Sequence, residues 1–349
     1  MSEPVRVALD AMGGDSAPGE IVAGAVQAAR EYGMGVYLVG NETAIRAELA
    51  KHDTAGLDLP ILHTDEVIPM DEHDPARAAR QKKNSSMVRA VQLVRDGEAL
   101  GAVSAGNSGA MMAAALFILK RIKGVDRPAL GGVLPTKDQN RPCLVIDMGV
   151  NTDCKPEYLE QFALMGSIYM ERILHIPSPR VGLLANGEEE GKGNEQVQQA
   201  HQLLKANAKT LSLNFIGNVE GRDIFAGTVD VVVCDGFVGN VVLKVSEGLS
   251  DTLLGLIRAE MTSSLPNKLA AAVLRPGLRK IGKRLDYAEY GGLPLLGVNG
   301  VAIISHGRSN AKAIKNALRV ARQTAEAGVA AAIADGLTKL GTEKTEAEV

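Results

Sequence analysis

The feature that most constrains how this chain can fold is a rhythm. Short β-branched runs alternate with Ala-rich stretches of helical length: "VRVALD" then "PGEIVAGAVQAAREYG", "GVYLVG" then "NETAIRAELAKH", "LGAVSA" then "NSGAMMAAALFILKRI". The pattern resumes with "PCLVIDMG" before "PEYLEQFALMGSIYMERIL", "RVGLLA" before "NEQVQQAHQLLKANA", and "VDVVVCD" before "GNVVLKVSEGLSDTLLGLIRAEM". Strands separated by helices pair in parallel, so the chain is expected to be an α/β protein with a mostly parallel sheet. Ligands of such sheets sit beyond the carboxyl ends of the strands, in the loops that lead into helices. Glycines and small polar residues collect in those loops: Gly13, Gly14 and Asp15, then Gly106 to Gly109, Gly149 with Asn151, Gly187 to Asn194, and Gly236 to Asn240. One Gly-rich turn is only a tight connection, but five of them on one sheet edge predict a composite site.

The missing motifs narrow what that site holds. "DAMGGD" is not GxGxxG, and no GxxxxGK[ST] occurs, so neither a dinucleotide fingerprint nor a Walker cradle is supported. The loop Ser104, Ala105, Gly106, Asn107, Ser108, Gly109 still suits an anion such as phosphate: small residues expose backbone N–H groups, hydroxyls and an amide can donate, and a helix begins there. Asn107 or Ser108 as a helix N-cap is compatible with that role. Ser85 and Ser86 in "RQKKNSSMVRAVQLV" read as N-caps of an amphipathic helix, with Arg80, Lys82 and Lys83 either near the active edge or solvated.

Nucleic acid is disfavoured by the 3% aromatic content and the absence of Trp. A net charge of −3 is too small to act as a global field, so electrostatic partners must meet local patches. Three cysteines without CxxC spacing, and no signal peptide before Val5 to Leu9, predict a cytoplasmic, reducing compartment. No stretch approaches the roughly 18 apolar residues of a spanning helix. The six histidines show no metal-ligand spacing, and GxSxG and HExxH are absent, so no metal and no cofactor is expected.

The blocks "VALDAMGGDSAPGEIVAGA", "KKNSSM", "SAGNSGA", "DMGVNTDCKPEYL", "NGEEEGKGNE", "DGFVGN" and "GGLPLLGVNGVAIISHG", in this order from residue 6 to about 307, resemble the PlsX family of phosphate acyltransferases. The resemblance implies a three-layer α/β/α sandwich, similar to phosphotransacetylases and isocitrate-dehydrogenase-like enzymes, and a homodimer. It implies that inorganic phosphate attacks the thioester of a fatty acyl-acyl carrier protein, giving acyl phosphate and free carrier protein for phospholipid synthesis. It also implies a membrane surface and a membrane-embedded glycerol-3-phosphate acyltransferase as partners, and so a cytoplasmic, peripherally membrane-associated enzyme. Residues 1–335 then form one catalytic α/β domain with a helical hairpin inserted at 262–290, followed by a polar C-terminal tail at 336–349.

Attack of phosphate on a thioester creates a tetrahedral oxyanion, so cations and preorganised amides are the tools required. Lys192, between Gly191 and Gly193, reads by itself as part of a solvated charged turn with Glu188 to Glu190; the family pattern makes it catalytic. Asn240 reads either as an N-cap or, by the same pattern, as an oxyanion donor. Asp10, Gly13, Gly14, Asp15, Ser85, Ser86, Asn151, Asp153, Asn186 and Asp235 are further active-site candidates, Asp10 and Asp15 equally suited to fixing the Gly13-Gly14 turn. Cys154 is left out of the catalytic set because direct attack needs no acyl-enzyme. A capping turn led by Ser309 accounts for "SHGRSN", with His306 as an acid for the leaving thiol as the other reading.

The segment "TSSLPNKLAAAVLRPGLRKIGKRLDY" carries Lys268, Arg275, Arg279, Lys280, Lys283 and Arg284, and Pro276 is expected to divide it into two short helical pieces. Leu274, Leu278, Ile281 and Leu285 form an apolar stripe, either packed as core or exposed toward carrier protein or membrane. The competing readings are a phosphotransacetylase acting on acyl-CoA, a metal-dependent dehydrogenase of the related fold, and a non-catalytic membrane scaffold. The first would need a nucleotide pocket and the second clustered Asp ligands; the third leaves the anion loops without a purpose.

Overall fold

A computed structural model describes residues 6–285 and 287–347, with side chains described except at 283–285, 287 and 340–347. The chain opens with β1 (Arg6–Asp10), α1 (Gly19–Tyr32), β2 (Gly35–Gly40), α2 (Glu42–Leu49), β3 (Ile61–His63), α3 (Pro75–Gln81) and α4 (Ser86–Arg95). Next come β4 (Ala102–Ser104), α5 (Ser108–Ile118), β5 (Ala129–Leu134), β6 (Cys143–Ile146), α6 (Pro156–Ile173), β7 (Arg180–Leu184), α7 (Glu195–Asn207) and β8 (Asn214–Val219). The remainder is α8 (Asp223–Ala226), β9 (Val231–Val233), α9 (Gly236–Thr262), α10 (Leu265–Leu285), β10 (Leu293–Leu296), β11 (Ala302–Ile304), α11 (Ala311–Glu326) and α12 (Val329–Ala347).

All strands join one sheet in the order β3-β2-β1-β4-β11-β10-β5-β6-β9-β7-β8. The strands from β3 to β11 are mutually parallel, as are β6, β9, β7 and β8, while β10 and β5 make the antiparallel pairings between these two groups. Three antiparallel steps reverse direction three times, so the two parallel halves run against each other. This corrects the expectation that all five glycine-rich loops lie on one sheet edge. The register brings them together by another route. Ser104 lies opposite Ile304, and Ile304 opposite Leu293. Leu295 pairs with Leu130, which puts Leu293 level with Gly132; Gly131 pairs with Ile146, and Ile146 with Val233. The carboxyl ends of β4 and β11 from one half therefore meet those of β6 and β9 from the other along a common line, across β5 and β10.

Helices cover both faces. On the first half, α1 and α11 pack together over one face of β1, β4 and β11 through Ile21, Val22, Ile314 and Leu318, while α4 and α5 cover the other through Met87, Val91 and Met111. Gly24 lets α1 and α11 approach this closely, since a Cβ there would lie 2.6 Å from that of Ile314. On the second half, α6 is the central helix: Phe162, Met165 and Tyr169 are buried beneath α7 and α12. The resulting layers agree with the α/β/α arrangement expected from the sequence.

Two local expectations change. Pro276 does not divide its segment: α10 is continuous from Leu265 to Leu285 with Pro276 inside it, so the hairpin expected within 262–290 is formed instead by α10 and the preceding α9. The ladder bond that Pro276 cannot donate is that to Ala272, which is exposed, so water can take its place. The polar segment beginning at 336 starts inside α12, where Leu337 is buried. Among the described residues no helix is long and apolar enough to cross a membrane.

Candidate functional site

Along the common line lies a cavity of about 690 Å³. Met112, Leu130, Met148, Leu243, Leu293 and Ile304 give it apolar walls, and Ser108, Asn240, Ser305, His306 and Arg308 bring polar groups to it. Both halves of the sheet contribute, as does Ile281 from α10.

In the first half, three loops interlock around Asp10. Its buried carboxylate accepts from Ser104 Oγ (2.7 Å) and from the Met12 amide (3.2 Å). Gly106 N–H in turn donates to Ser104 Oγ (3.0 Å). Gly13 is required at this contact, because a Cβ there would overlap the Asp10 carboxylate and approach Gly106 N to 2.8 Å. Asp15 N–H donates to the Gly307 carbonyl (2.8 Å), tying in the loop after β11, and Gly14 makes the turn with φ +115°. Burial pushes the Asp10 carboxyl up, against the pull of its hydrogen bonds.

These contacts change the reading of the phosphate cradle. Ser104 and Gly106 are buried and engaged with each other and with Asp10, so they shape the loop rather than face a ligand. Asn107 is the N-cap of α5, accepting from Ala110 N–H (3.0 Å) and donating to the Met70 carbonyl (3.0 Å). Gly109 makes room for Pro75 of α3, 2.8 Å from where its Cβ would be. Of the predicted loop, only Ser108, at the exposed N-terminus of α5, lines the cavity. Ser85 sits at the N-cap of α4 without making a side-chain cap. Ser86 lies against Asp10 and favours its charged form, yet its hydroxyl makes no hydrogen bond of ordinary geometry.

In the second half the organising carboxylate is Asp147, which the sequence reading missed. It is buried, and its two oxygens accept from the amides of Leu130, Gly149, Val150 and Asn151 and from Asn151 Nδ2, at 2.8–3.1 Å. Burial again pushes the carboxyl up. Asn151 therefore serves the loop: its Nδ2 also donates to the Pro128 carbonyl, and its own carbonyl accepts from Gly236 N–H, the first residue of α9. A Cβ at Gly239 would overlap the Asp147 carbonyl oxygen, so only glycine allows the first turn of α9 to seat here. Asp235 is the N-cap of α9, accepting from Val238 N–H (2.8 Å). Asn240, one turn in, is thus not the cap. It faces the cavity against Gly149, whose Cβ position lies 3.7 Å from that of Asn240. Asp153 is exposed and does not line the cavity. Cys154 donates weakly to the Asn151 carbonyl, and burial beside Asp147 and Asp235 pushes its thiol up to about 12, leaving it a poor nucleophile.

Lys192 lies on the loop between β7 and α7, exposed and outside the cavity wall. Glu188 and Glu190 pair with Arg222 and Lys205, and no described ion pair involves Lys192. Asn186 closes the loop by accepting from Gly193 N–H (2.8 Å). The structure thus brings Ser108 and Asn240 to one cavity and holds Lys192 on a separate, well-braced loop.

Ser305 and Arg308 go unread in the sequence, and His306 stands there only as the second reading of "SHGRSN", although that stretch carries the signal: small and basic residues directly after an apolar strand. Asn310, not Ser309, caps α11. Ser305 Oγ is buried and has no hydrogen-bond partner among the described residues. His306 Nδ1 accepts from the Arg308 amide (3.1 Å), which assigns the neutral ring proton to Nε2. Among the described residues no group of three or more His, Cys, Asp or Glu side chains could hold a metal.

Comparison with known proteins agrees with this architecture. A protein family described as "Fatty acid synthesis protein" matches residues 5–332. The phosphate acyltransferase of Pelotomaculum thermopropionicum is 55% identical over 322 residues, covering 92% of each chain. That of Geobacter sulfurreducens is 52% identical over 342 residues, covering 98% of this chain and 96% of the relative. Among solved structures, a phosphotransacetylase from Streptococcus pyogenes superposes with a TM-score of 0.62 at 18% identity, covering 94% and 95% of the two chains, a likeness of fold. Identity at this level over nearly the whole length leaves one assignment: the chain belongs to the PlsX family of phosphate acyltransferases, transferases of fatty acid and phospholipid synthesis.

Proposed function

We propose that the enzyme transfers a fatty acyl group from acyl carrier protein to inorganic phosphate. The observation that carries this reading is the cavity: its apolar walls suit an alkyl chain, and its polar groups come from the strand ends of both halves. A phosphate oxygen attacks the thioester carbonyl carbon, and the new C–O bond gives a tetrahedral oxyanion. Collapse breaks the C–S bond, and the proton of hydrogen phosphate passes to the carrier thiolate. Ser108 at the N-terminus of α5 receives the phosphate, with Ser305 and Arg308 beside it. Asn240 donates to the oxyanion, and Lys192, carried on the exposed β7–α7 loop outside the cavity wall, supplies the cation for two converging anions once the carrier-bound substrate docks.

The helical hairpin of α9 and α10 exposes Val245, Leu249, Leu265, Leu269 and Val273 beside Lys268, Arg275, Arg279 and Lys280. The side chains of Lys283 and Arg284 lie outside the described residues. An exposed basic, apolar hairpin fits an acidic carrier protein, an anionic membrane surface leading to a membrane-embedded acyltransferase, or the partner copy of a homodimer in the cytoplasm.

The test is to incubate the protein with palmitoyl-acyl carrier protein and phosphate. Release of free thiol should require phosphate and neither CoA nor a nicotinamide cofactor. Lys192→Ala and Asn240→Ala should each lower turnover by about 10²-fold or more with the fold intact. Thiol release that depends on CoA, or near-normal turnover of both variants, would overturn the assignment.

A further inference from the structure

Lys192 is exposed, yet its backbone is held from beneath by buried groups that the reaction itself does not use. On β8, Asn218 is 5% exposed, and its Nδ2 donates to the carbonyl of Glu189 (2.8 Å). The same carbonyl accepts from Lys192 N–H (3.0 Å), so Asn218 fixes the acceptor on which the lysine's own turn closes. The amide of Asn218 can face Glu189 only if its Oδ1 points the other way, to His201 Nδ1 on α7 (2.8 Å). With that oxygen as acceptor, His201 must carry its proton on Nδ1. His201 is 4% exposed and packs edge-on against Phe215, centroids 5.2 Å apart. From the outer side, Gln198 Nε2 donates to the carbonyls of Gly191 and Gly193 (3.0 Å each). A loop that merely solvated a run of charges would not need a buried, directionally ordered chain of hydrogen bonds ending at one turn.

We infer that Asn218, oriented by His201, is a positioning residue for Lys192. It holds the Glu189–Lys192 turn so that the ammonium is presented at a fixed place when the acyl substrate and phosphate arrive. This rests on the catalytic reading of Lys192. Displacement of a catalytic group by about 1 Å can cost about 10²-fold, so the effect should fall on kcat rather than on substrate affinity.

The experiment is a mutant cycle with two readouts on the full-length protein. Asn218→Leu should lower kcat 10- to 100-fold, leave KM for phosphate and for acyl-acyl carrier protein within twofold, and accelerate amide exchange tenfold or more in a peptide covering 186–194. On a Lys192→Ala background the same change should cost nothing further, because the group being positioned is gone. His201→Leu should reproduce the loss, and His201→Asn, which keeps a donor near the Nδ1 position, should restore most of it. Should Asn218→Leu fail to fold, the two His201 variants decide by the same readouts. Normal kcat in Asn218→Leu, or losses that multiply with that of Lys192→Ala, would overturn the inference while leaving Lys192 catalytic. Normal activity of Lys192→Ala alone would instead remove the reading on which it rests.

Discussion

Asp10 and Asp147 sit at the same place in opposite halves of the sheet, one ending β1 and the other following β6, and both are buried and pushed up by burial. Their partners differ. Asp147 faces five N–H groups from two chain segments, Leu130 on β5 and the loop 149–151, so that loop and, through Asn151, the first turn of α9 depend on one carboxylate. Asp10 relies on the Met12 amide and the hydroxyl of Ser104, with the Gly13 amide and Ser86 lying alongside and also favouring its charge. Amide donors come with the backbone and cannot turn away, whereas hydroxyls rotate and can be replaced by water. The second half therefore has a rigid carboxylate hub that seats Asn240, and the first half has a softer one that joins loops.

The largest test of this contrast is truncation. Asp147→Ala leaves several buried donors unmet and should cost about 4 kcal/mol, while Asp10→Ala should cost about 2 kcal/mol. Urea denaturation of both variants measures the difference. Asp147→Ala should also lower turnover more than its stability loss explains, because Gly236 and Asn240 lose their seat. Equal costs would show that the hydroxyls around Asp10 are as firmly held as the amides around Asp147.

A smaller effect separates both from Asp230, a further buried carboxylate. Asp230 is also pushed up by burial, but hydrogen bonds from Arg180 and Arg141 outweigh this and hold it below the usual range. The signs of the linkage are opposite. A carboxyl whose folded value is raised binds its proton more tightly when folded, so its contribution is fully present below about 3.9 and is lost as pH rises through the folded value. That of Asp230 is present above about 3.9 and is lost as pH falls through its lowered folded value. Asp10→Asn should therefore flatten the decline of stability on the alkaline side of pH 4, and Asp230→Asn the decline on the acid side. Denaturant midpoints measured from pH 3 to 7 distinguish them; the same change of slope in both would contradict the assignment.

The sequence made much of this architecture readable, and the exceptions have physical reasons. Alternating strands and helices marked β1, β2, β4, β6, β7 and β9, because each crossover helix carries its own periodicity, whereas the three-residue β3 and β11 and the partly polar β8 carry too little pattern to stand out. The reversal between halves escaped because it depends on short strands joined without helices. Yet "PTKDQNRP" between β5 and β6 is a polar loop too short for a crossover, and so already implied an antiparallel step. Asn240 was placed in its loop, but Asp235 rather than Asn240 proved to be the cap, a choice that turns on where the helix starts to within a residue or two. Asp147 was overlooked within the quoted "DMGVNTD" because a lone Asp looks the same whether it caps a turn or faces solvent. Its role appears only when Leu130, 17 residues earlier, is brought back across the sheet.

The finest test lies among the serines of the softer hub. Ser104 donates to Asp10 and accepts from Gly106 N–H, so Ser104→Ala removes two satisfied contacts and strands a buried amide, a loss of about 2 kcal/mol. Ser86 is equally buried, but its hydroxyl has no hydrogen bond of ordinary geometry, so Ser86→Ala removes a desolvated polar group at little cost, within about 0.5 kcal/mol of wild type. Ser86 favours the charged form of Asp10, so the variant should also raise the Asp10 carboxyl further and steepen the loss of stability above pH 4. A Ser86→Ala cost matching that of Ser104→Ala would mean that both hydroxyls hold Asp10 equally, and that the first-half hub is as fully satisfied as the second.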